Sequence, residues 1–441
     1  MRDYVVVGGG ISGLYAALLL SRAGQHVRVL ERASRPGGLA GSETFRGVPC
    51  DLGSHRLHPD ALASPLFREM AESERFLWRP RRGVLLLGDK RLPYPPTAVS
   101  VLRALGARRS VTVGMQFLGG RRRRAFAGWD LDRGLSSDDV DVGFERFVVD
   151  RVGAEAYTLF YAPYAEKVWG LRPAELSQAV AKKRVSTSAP WRLLRRALGS
   201  VGGERFVYPA RGTSSIVAFL ERKLSERGVV VETSRAFASA DVASGSPVLF
   251  AGHLGDIVPT RLEHRGVYLV YLALPSCAAS EIETYYAPER RFWFGRVSEL
   301  ANYSPELRRA GETILCVEIP EGAWGAEVDF TEPSRLHELL AQLAVARIVP
   351  PGARPIEVRQ RFVPFVYPVY RRGWLAEWRA TMDRVTSQGL LPFGRQALFL
   401  HCNLDHCAGI ASDAVAHAMA GRSPQSWIPL AERALELRVR D

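Results

Sequence analysis

Three glycines near the start of the chain constrain it most, in YVVVGGGISGLYAALLLSRAGQHVRVLER, Tyr4 to Arg32. Tyr4 to Val7 reads as a short β-rich strand, Gly8-x-Gly10-x-x-Gly13 as a turn into a helix running to about Ala23, and Gln25 to Leu30 as the next strand. Each glycine has a physical task in such a unit: Gly8 permits the tight turn, Gly10 lets the backbone approach a pyrophosphate, and Gly13 lets helix and strand pack closely. Ser12 and its neighbours open the helix, whose free N–H groups and positive dipole end favour phosphate. Glu31, just past the second strand, stands where a carboxylate accepts hydrogen bonds from ribose hydroxyls, with Arg32 beside it. Two other readings fit less of the stretch. Arg2 before an apolar run suggests a signal peptide, but glycines interrupt the run and no small-residue cleavage site precedes Arg22. A transmembrane helix needs roughly 20 apolar residues without such a break. A dinucleotide site accounts for strand, glycines, helix, strand and acid together.

Composition bounds the rest. With 441 residues, 47% of them hydrophobic, the chain is long enough for a full core and two domains. Five cysteines are an odd number spread over a large chain, which argues against a disulfide framework and for a reducing, cytoplasmic setting. The net charge of +13 is carried almost wholly by arginines scattered among acids, and no nucleic-acid recognition motif accompanies it. One true cluster stands out, Arg121 to Arg124 in GMQFLGGRRRRAFAGW, where Phe117, Phe126 and Trp129 could join it on an anionic membrane surface; Gly119 and Gly120 suggest an exposed loop there.

After the acid, ERASRPGGLAGS repeats glycine at Gly37 and Gly38, and here the chain resembles the FAD-dependent amine oxidase and protoporphyrinogen oxidase superfamily. The resemblance implies FAD rather than NAD, with Gly38, Leu39 and Ala40 along the flavin side. It also implies an α/β architecture: a discontinuous Rossmann-like FAD-binding domain joined to a helix-plus-mixed-sheet substrate domain. The expected division is FAD domain 1–78, helical substrate region 79–202, FAD domain 203–262, mixed sheet 263–384 and FAD domain 385–441. In CDLGSHRLHPD the resemblance places Ser54 and His55 at the cofactor and offers His58 as an active-site wall, a buried structural histidine being the alternative. Ala251-Gly252 matches a small-residue turn beside the cofactor. GRQALFLHCNLDHCAG, from Gly394 and Arg395 onward, reads as a strand, a turn and a small-residue helix; Asn403, Leu404 and Asp405 match the family's turn at the flavin end. His401, Cys402, His406 and Cys407 crowd one turn and are poorly spaced for a tetrahedral metal, so no metal is expected.

Other segments resemble UDP-galactopyranose mutases and bacterial protoporphyrinogen-oxidase-like proteins. APYAEKVWGLRPAEL makes Trp169 a pocket candidate, and AKKRVS sets Lys183 and Arg184 near where the mutases present an arginine to a diphosphate. RRFWFGRVSEL matches their Phe-x-Arg-x-x-Glu element through Arg296, whose planar fork suits a diphosphate. Tyr367 in FVYPVY fits a pocket tyrosine. Where the mutases carry a tyrosine pair before the closing turn, this chain has His401 and Cys402, which puts UDP-sugar binding in doubt. The resemblance therefore implies either a flavin oxidoreductase taking hydride from a small molecule, in a biosynthetic pathway, or a redox-neutral sugar mutase acting on a nucleotide sugar. Helical spacing from Phe144 to Tyr161 predicts buried faces, and alternation in GVYLVYLALP and ETILCVEIP predicts strands of a second sheet.

Overall fold

The computed structural model describes residues 2–94, 96, 98–126, 141–184, 205–241, 245–275, 280–325, 327–437 and 439. The first apolar run forms the strand Asp3–Val7, whose Tyr4 to Val7 are buried on both faces, as a central parallel strand requires. It lies in a five-stranded, wholly parallel sheet in the order Leu390–Pro392, Val248–Phe250, Asp3–Val7, His26–Leu30, Val230–Glu232. Three separated parts of the chain thus build one Rossmann-like layer. Its helix Ile11–Arg22 carries ten buried residues and packs between the helices Ser214–Ser225 and Leu404–Met419.

A second sheet of seven strands runs Glu357–Pro368, His264–Pro275, Glu312–Pro320, Arg296–Glu299, Thr284–Tyr286, Gly83–Leu87, Lys90–Tyr94. Its pairings are antiparallel except that of Thr284–Tyr286 with Gly83–Leu87, so the sheet is mixed. The alternation in GVYLVYLALP explains where the core sits. Val267, Leu269, Tyr271 and Ala273 face a cluster continuous with the parallel sheet, whereas Tyr268, Val270, Leu272 and Leu274 face a second cluster shared with the helix Pro333–Val345. Burial on both faces is why the strand reads as an unbroken apolar run.

The structure differs from the sequence reading in four places. The basic region after Arg79, expected to be largely helical, begins with the hairpin Gly83–Leu87 and Lys90–Tyr94, because Val84 to Leu86 is a buried run closed by a tight turn with Gly88 at φ 57°. The helix Ala98–Phe126 continues through Gly119 and Gly120 rather than opening into a loop, and its break falls at Gly106, φ 76°. Phe144, Phe147 and Val148 are buried as predicted, but Tyr157, Phe160 and Tyr161 are only half-buried. They stand in a π-helical turn, Tyr157–Tyr161, from which Tyr157 and Tyr161 pack against the edge of the core. The strand expected inside GRQALFL is a helical turn, Gly394–Ala397; the parallel-sheet strand is Leu390–Pro392 just before it. The carbonyls of Leu398 and Phe399 accept from the Trp378 indole and the Tyr370 hydroxyl instead of a ladder.

Candidate functional site

The carboxyl ends of the parallel strands converge on the glycine turn. The Gly8 N–H donates to Leu30 O at 2.8 Å, and the backbone of Ala251, next to Gly252, lies 3.2 Å from where a Gly8 side chain would begin. A Cβ on Gly13 would stand 1.8 Å from Gly8 O, which no side chain can satisfy, so the close packing predicted there is real. A Cβ on Gly10 would meet no atom within 4 Å: the backbone at the helix mouth faces open space. Gly38 rests on this turn, with its would-be Cβ 3.4 Å from Gly10 Cα, and Gly394 abuts Ser12 from the third part of the chain. Leu39 packs partly buried against the core and Ala40 is buried, its carbonyl accepting from the Thr213 hydroxyl at 3.5 Å.

Glu31 is held in place by the turn it serves. Its Oε2 accepts from Gly9 N–H at 2.6 Å and its Oε1 from Ala33 N–H at 2.7 Å, leaving a lone pair on each oxygen for further donors. Arg32 pairs with Asp256 at 2.8 Å and points its charge into that surface contact. At the other end, Asn403 precedes the helix Leu404–Met419, its N–H donating to His406 Nδ1 at 3.3 Å. Leu404 and Asp405 form the first helical turn, and Asp405 Oδ1 is buried with no hydrogen-bond partner among the described residues. Arg395 ties this turn to the second sheet, donating to Cys402 O at 2.5 Å and Val366 O at 2.8 Å.

A polar cluster joins the second sheet to the loop that follows the strand Val48–Asp51. Ser54 N–H donates to Glu318 Oε1 at 2.8 Å, and Glu318 closes a two-pronged pair with Arg296, at 2.8 and 2.6 Å. Burial alone would raise the Glu318 carboxyl, but Arg296 overcomes it and holds the group below the usual carboxylate range. His55, within electrostatic reach of Asp51, Arg296, Glu318 and Arg395, is pushed below the ordinary histidine value, first by burial; its Nδ1 is buried without a partner among the described residues. Tyr367, 8% exposed, is close enough to Arg296 to bias it electrostatically and lies near-parallel to the His401 ring, centroids 6.2 Å apart. Trp169 is buried beside this strand, its indole N–H donating to Pro368 O at 3.2 Å.

Of the remaining predicted residues, His58 makes a local contact. His58 Nδ1 accepts from Asp60 N–H at 3.2 Å and caps the 3₁₀ turn Pro59–Ala63, a local structural task. Arg184 ends the helix Gln178–Arg184, and its side chain, like those of Lys183 and Arg121 to Arg124, lies outside the described residues. Three further residues escaped the sequence reading. Glu318 was visible as the lone acid in the apolar strand ILCVEIP, and Asp51 as the acid ending VPCD; the latter accepts from the Tyr208 hydroxyl at 2.6 Å and Thr213 N–H at 3.0 Å. Lys167 is buried, with its ammonium donating to Ala287 O at 2.6 Å and Phe294 O at 2.9 Å, which secures the segment leading to Arg296. Burial depresses it to about 7.

These residues fit a dinucleotide. A dinucleotide requires a phosphate mouth, a ribose acceptor and polar groups along its far end, and the open space at Gly10, the remaining acceptor capacity of Glu31 and the orphaned Asp405 Oδ1 and His55 Nδ1 are of those kinds. The NAD(P)-binding Rossmann-like domain family matches residues 6–71. The chain is similar to (S)-6-hydroxynicotine oxidase of Paenarthrobacter nicotinovorans, 39% identical over 114 residues, covering 24% of this chain and 27% of that protein. It is also similar to coproporphyrinogen III oxidase of Mycobacterium tuberculosis, 32% identical over 200 residues, covering 42% of this chain and 43% of that protein. The matches therefore span less than half the length of these relatives. The crystal structure of reduced UDP-galactopyranose mutase aligns with 100% of this chain and 98% of its own at 18% identity, TM-score 0.78. The chain thus shares its nucleotide-binding segment with the NAD(P)-binding Rossmann-like domain family and part of its sequence with two oxidases, and its whole fold is similar to that of UDP-galactopyranose mutase.

Proposed function

We propose that this chain is an FAD-dependent oxidoreductase that takes hydride from a small-molecule donor. The observation that carries the choice is the Arg296–Glu318 pair. A diphosphate-binding arginine has to offer its fork to the ligand, and here two prongs of that fork are closed on a carboxylate whose negative charge would repel the phosphates. Two oxidases among the similar proteins point the same way.

Gly8, Gly10, Ser12 and Gly13 would hold the pyrophosphate, Glu31 the ribose, and Asn403 to Asp405 with Gly38 the flavin half. FAD, when bound, supplies the two-electron acceptor. The chain's own part is to orient the donor and to keep water out. His55, kept neutral because burial disfavours its charged form, lies in the field of Arg296 and Glu318 and would help to position the ring end of the cofactor. Tyr367, His401 and Trp169 supply the aromatic side of the pocket.

A redox-neutral mutase is the second reading, supported by Tyr367 beside Arg296 and by the full-length likeness to the mutase fold. Anaerobic mixing with 6-hydroxynicotine, coproporphyrinogen III and related amines, alongside titration with UDP, separates the two. Bleaching of the flavin band by a donor supports the oxidoreductase. Tight UDP binding confined to the reduced protein, with no donor bleaching the flavin, replaces it with the mutase.

A further inference from the structure

We propose that the helical segment Ala98–Phe126 is a docking surface for an anionic lipid membrane, an interaction beyond the chemistry assigned above. The segment carries seven arginines, Arg103, Arg108, Arg109 and Arg121 to Arg124, and neither aspartate nor glutamate. In a chain whose other arginines are scattered among acids, that asymmetry is local to one element. Gly106, at φ 76° and ψ 168°, breaks the helix, and the Ser110 hydroxyl reaches Val101 O at 3.4 Å, nine residues back, which no straight helix permits. The segment is therefore a bent pair of helices.

Four of its apolar residues are turned outward. Val99 and Leu102, three apart on the first arm, are each 47% exposed; Val111 and Met115, four apart on the second, are 55% and 62% exposed. They are four of the ten large apolar residues most exposed in the described chain, gathered on one element at helical spacing. Arg103 and Arg108 are exposed beside them. Arg109 meets the nearest acid, Glu155 of the following helices, at 3.5 Å, and the opposite side of the segment packs on Phe144–Val152. Cations interleaved with exposed aliphatic side chains match a surface that is anionic at its headgroups and apolar just beneath. A nucleic acid would reward the arginines but leave Val111 and Met115 in water.

The test is sedimentation of the full chain with phosphatidylglycerol–phosphatidylcholine vesicles and with phosphatidylcholine vesicles alone, at low and high salt. The expected result is binding to the anionic vesicles only, released by salt, and lowered about fivefold for each of Arg103→Gln and Arg108→Gln. The triple variant L102S/V111S/M115S should lose vesicle binding at low salt while keeping the wild-type thermal midpoint. Absence of sedimentation with anionic vesicles at low salt overturns the proposal. So does undiminished binding by the triple serine variant, which would mean that arginines alone attract any polyanion, single-stranded RNA included.

Discussion

Gly13 shows how one residue can decide whether a site exists. A methyl group there would collide with Gly8 O at 1.8 Å, an atom of the turn that must receive the pyrophosphate. Gly13→Ala is expected to expel the helix from the sheet by a few tenths of an ångström, to cost on the order of 2 kcal/mol, and to yield protein lacking flavin absorbance. The absorbance ratio at 450 and 280 nm of the purified variant checks it. Glu318→Gln tests the choice of chemistry. It keeps the shape but removes the charge that engages Arg296, so the variant should gain affinity for UDP roughly tenfold or more as the guanidinium becomes available, measurable by calorimetry. Unchanged UDP affinity would remove the basis for choosing between the two reactions on this pair.

At the scale of elements, Lys167 fastens the helix Ala162–Trp169 to the segment between Thr284–Tyr286 and Arg296–Glu299 through two carbonyls. Its amine is depressed from 10.5 to about 7, so between those values the unfolded chain binds more protons and stability rises with pH. Lys167→Met would leave both carbonyls unpaired, at a cost of about 2 kcal/mol at high pH. The difference between wild type and variant should narrow as pH falls from about 9 to about 6, because the wild type then carries a buried charge. Urea midpoints at the two pH values measure it, and a gap that widens on acidification would contradict the assignment.

Across the whole molecule, the two sheets share a core and meet at a joint assembled from distant parts of the chain. His264 opens the long strand of the second sheet and packs against His253, Phe365 and Phe399, with ring centroids 5.2, 5.8 and 4.8 Å away. Burial pushes His264 down to about 3 from 6.5, so it is neutral in the fold and charged in the unfolded chain between those values. Its contribution is complete above about 6.5 and is lost as pH falls towards 3, about 2 kcal/mol by pH 5. His264→Phe should flatten that part of the acid unfolding curve. Because one cluster spans the parallel sheet and the near face of the second, calorimetry of the wild type should show a single transition rather than one per sheet.

The glycine spacing, the strand before it and the acid after it were enough to specify the nucleotide unit, because each lies within about 30 residues and obeys local rules of turn, helix start and strand burial. The strands of the second sheet were legible for the same reason, through alternation and apolar runs. The partner of Arg296 was not. Glu318 lies 22 residues away and meets it only because Arg296–Glu299 and Glu312–Pro320 pair antiparallel, with Arg296 opposite Glu318 in register. The arginine alone suggested a free cation for a diphosphate, whereas the sheet made it half of an ion pair. His58 shows the converse: the resemblance offered it as an active-site wall three residues after His55 at the cofactor, and the fold gives it the cap of a 3₁₀ turn while His55 lies within reach of Arg296 and Glu318. Local chemistry determined that a dinucleotide binds; long-range pairing decided which charges remain available to act on what is bound beside it.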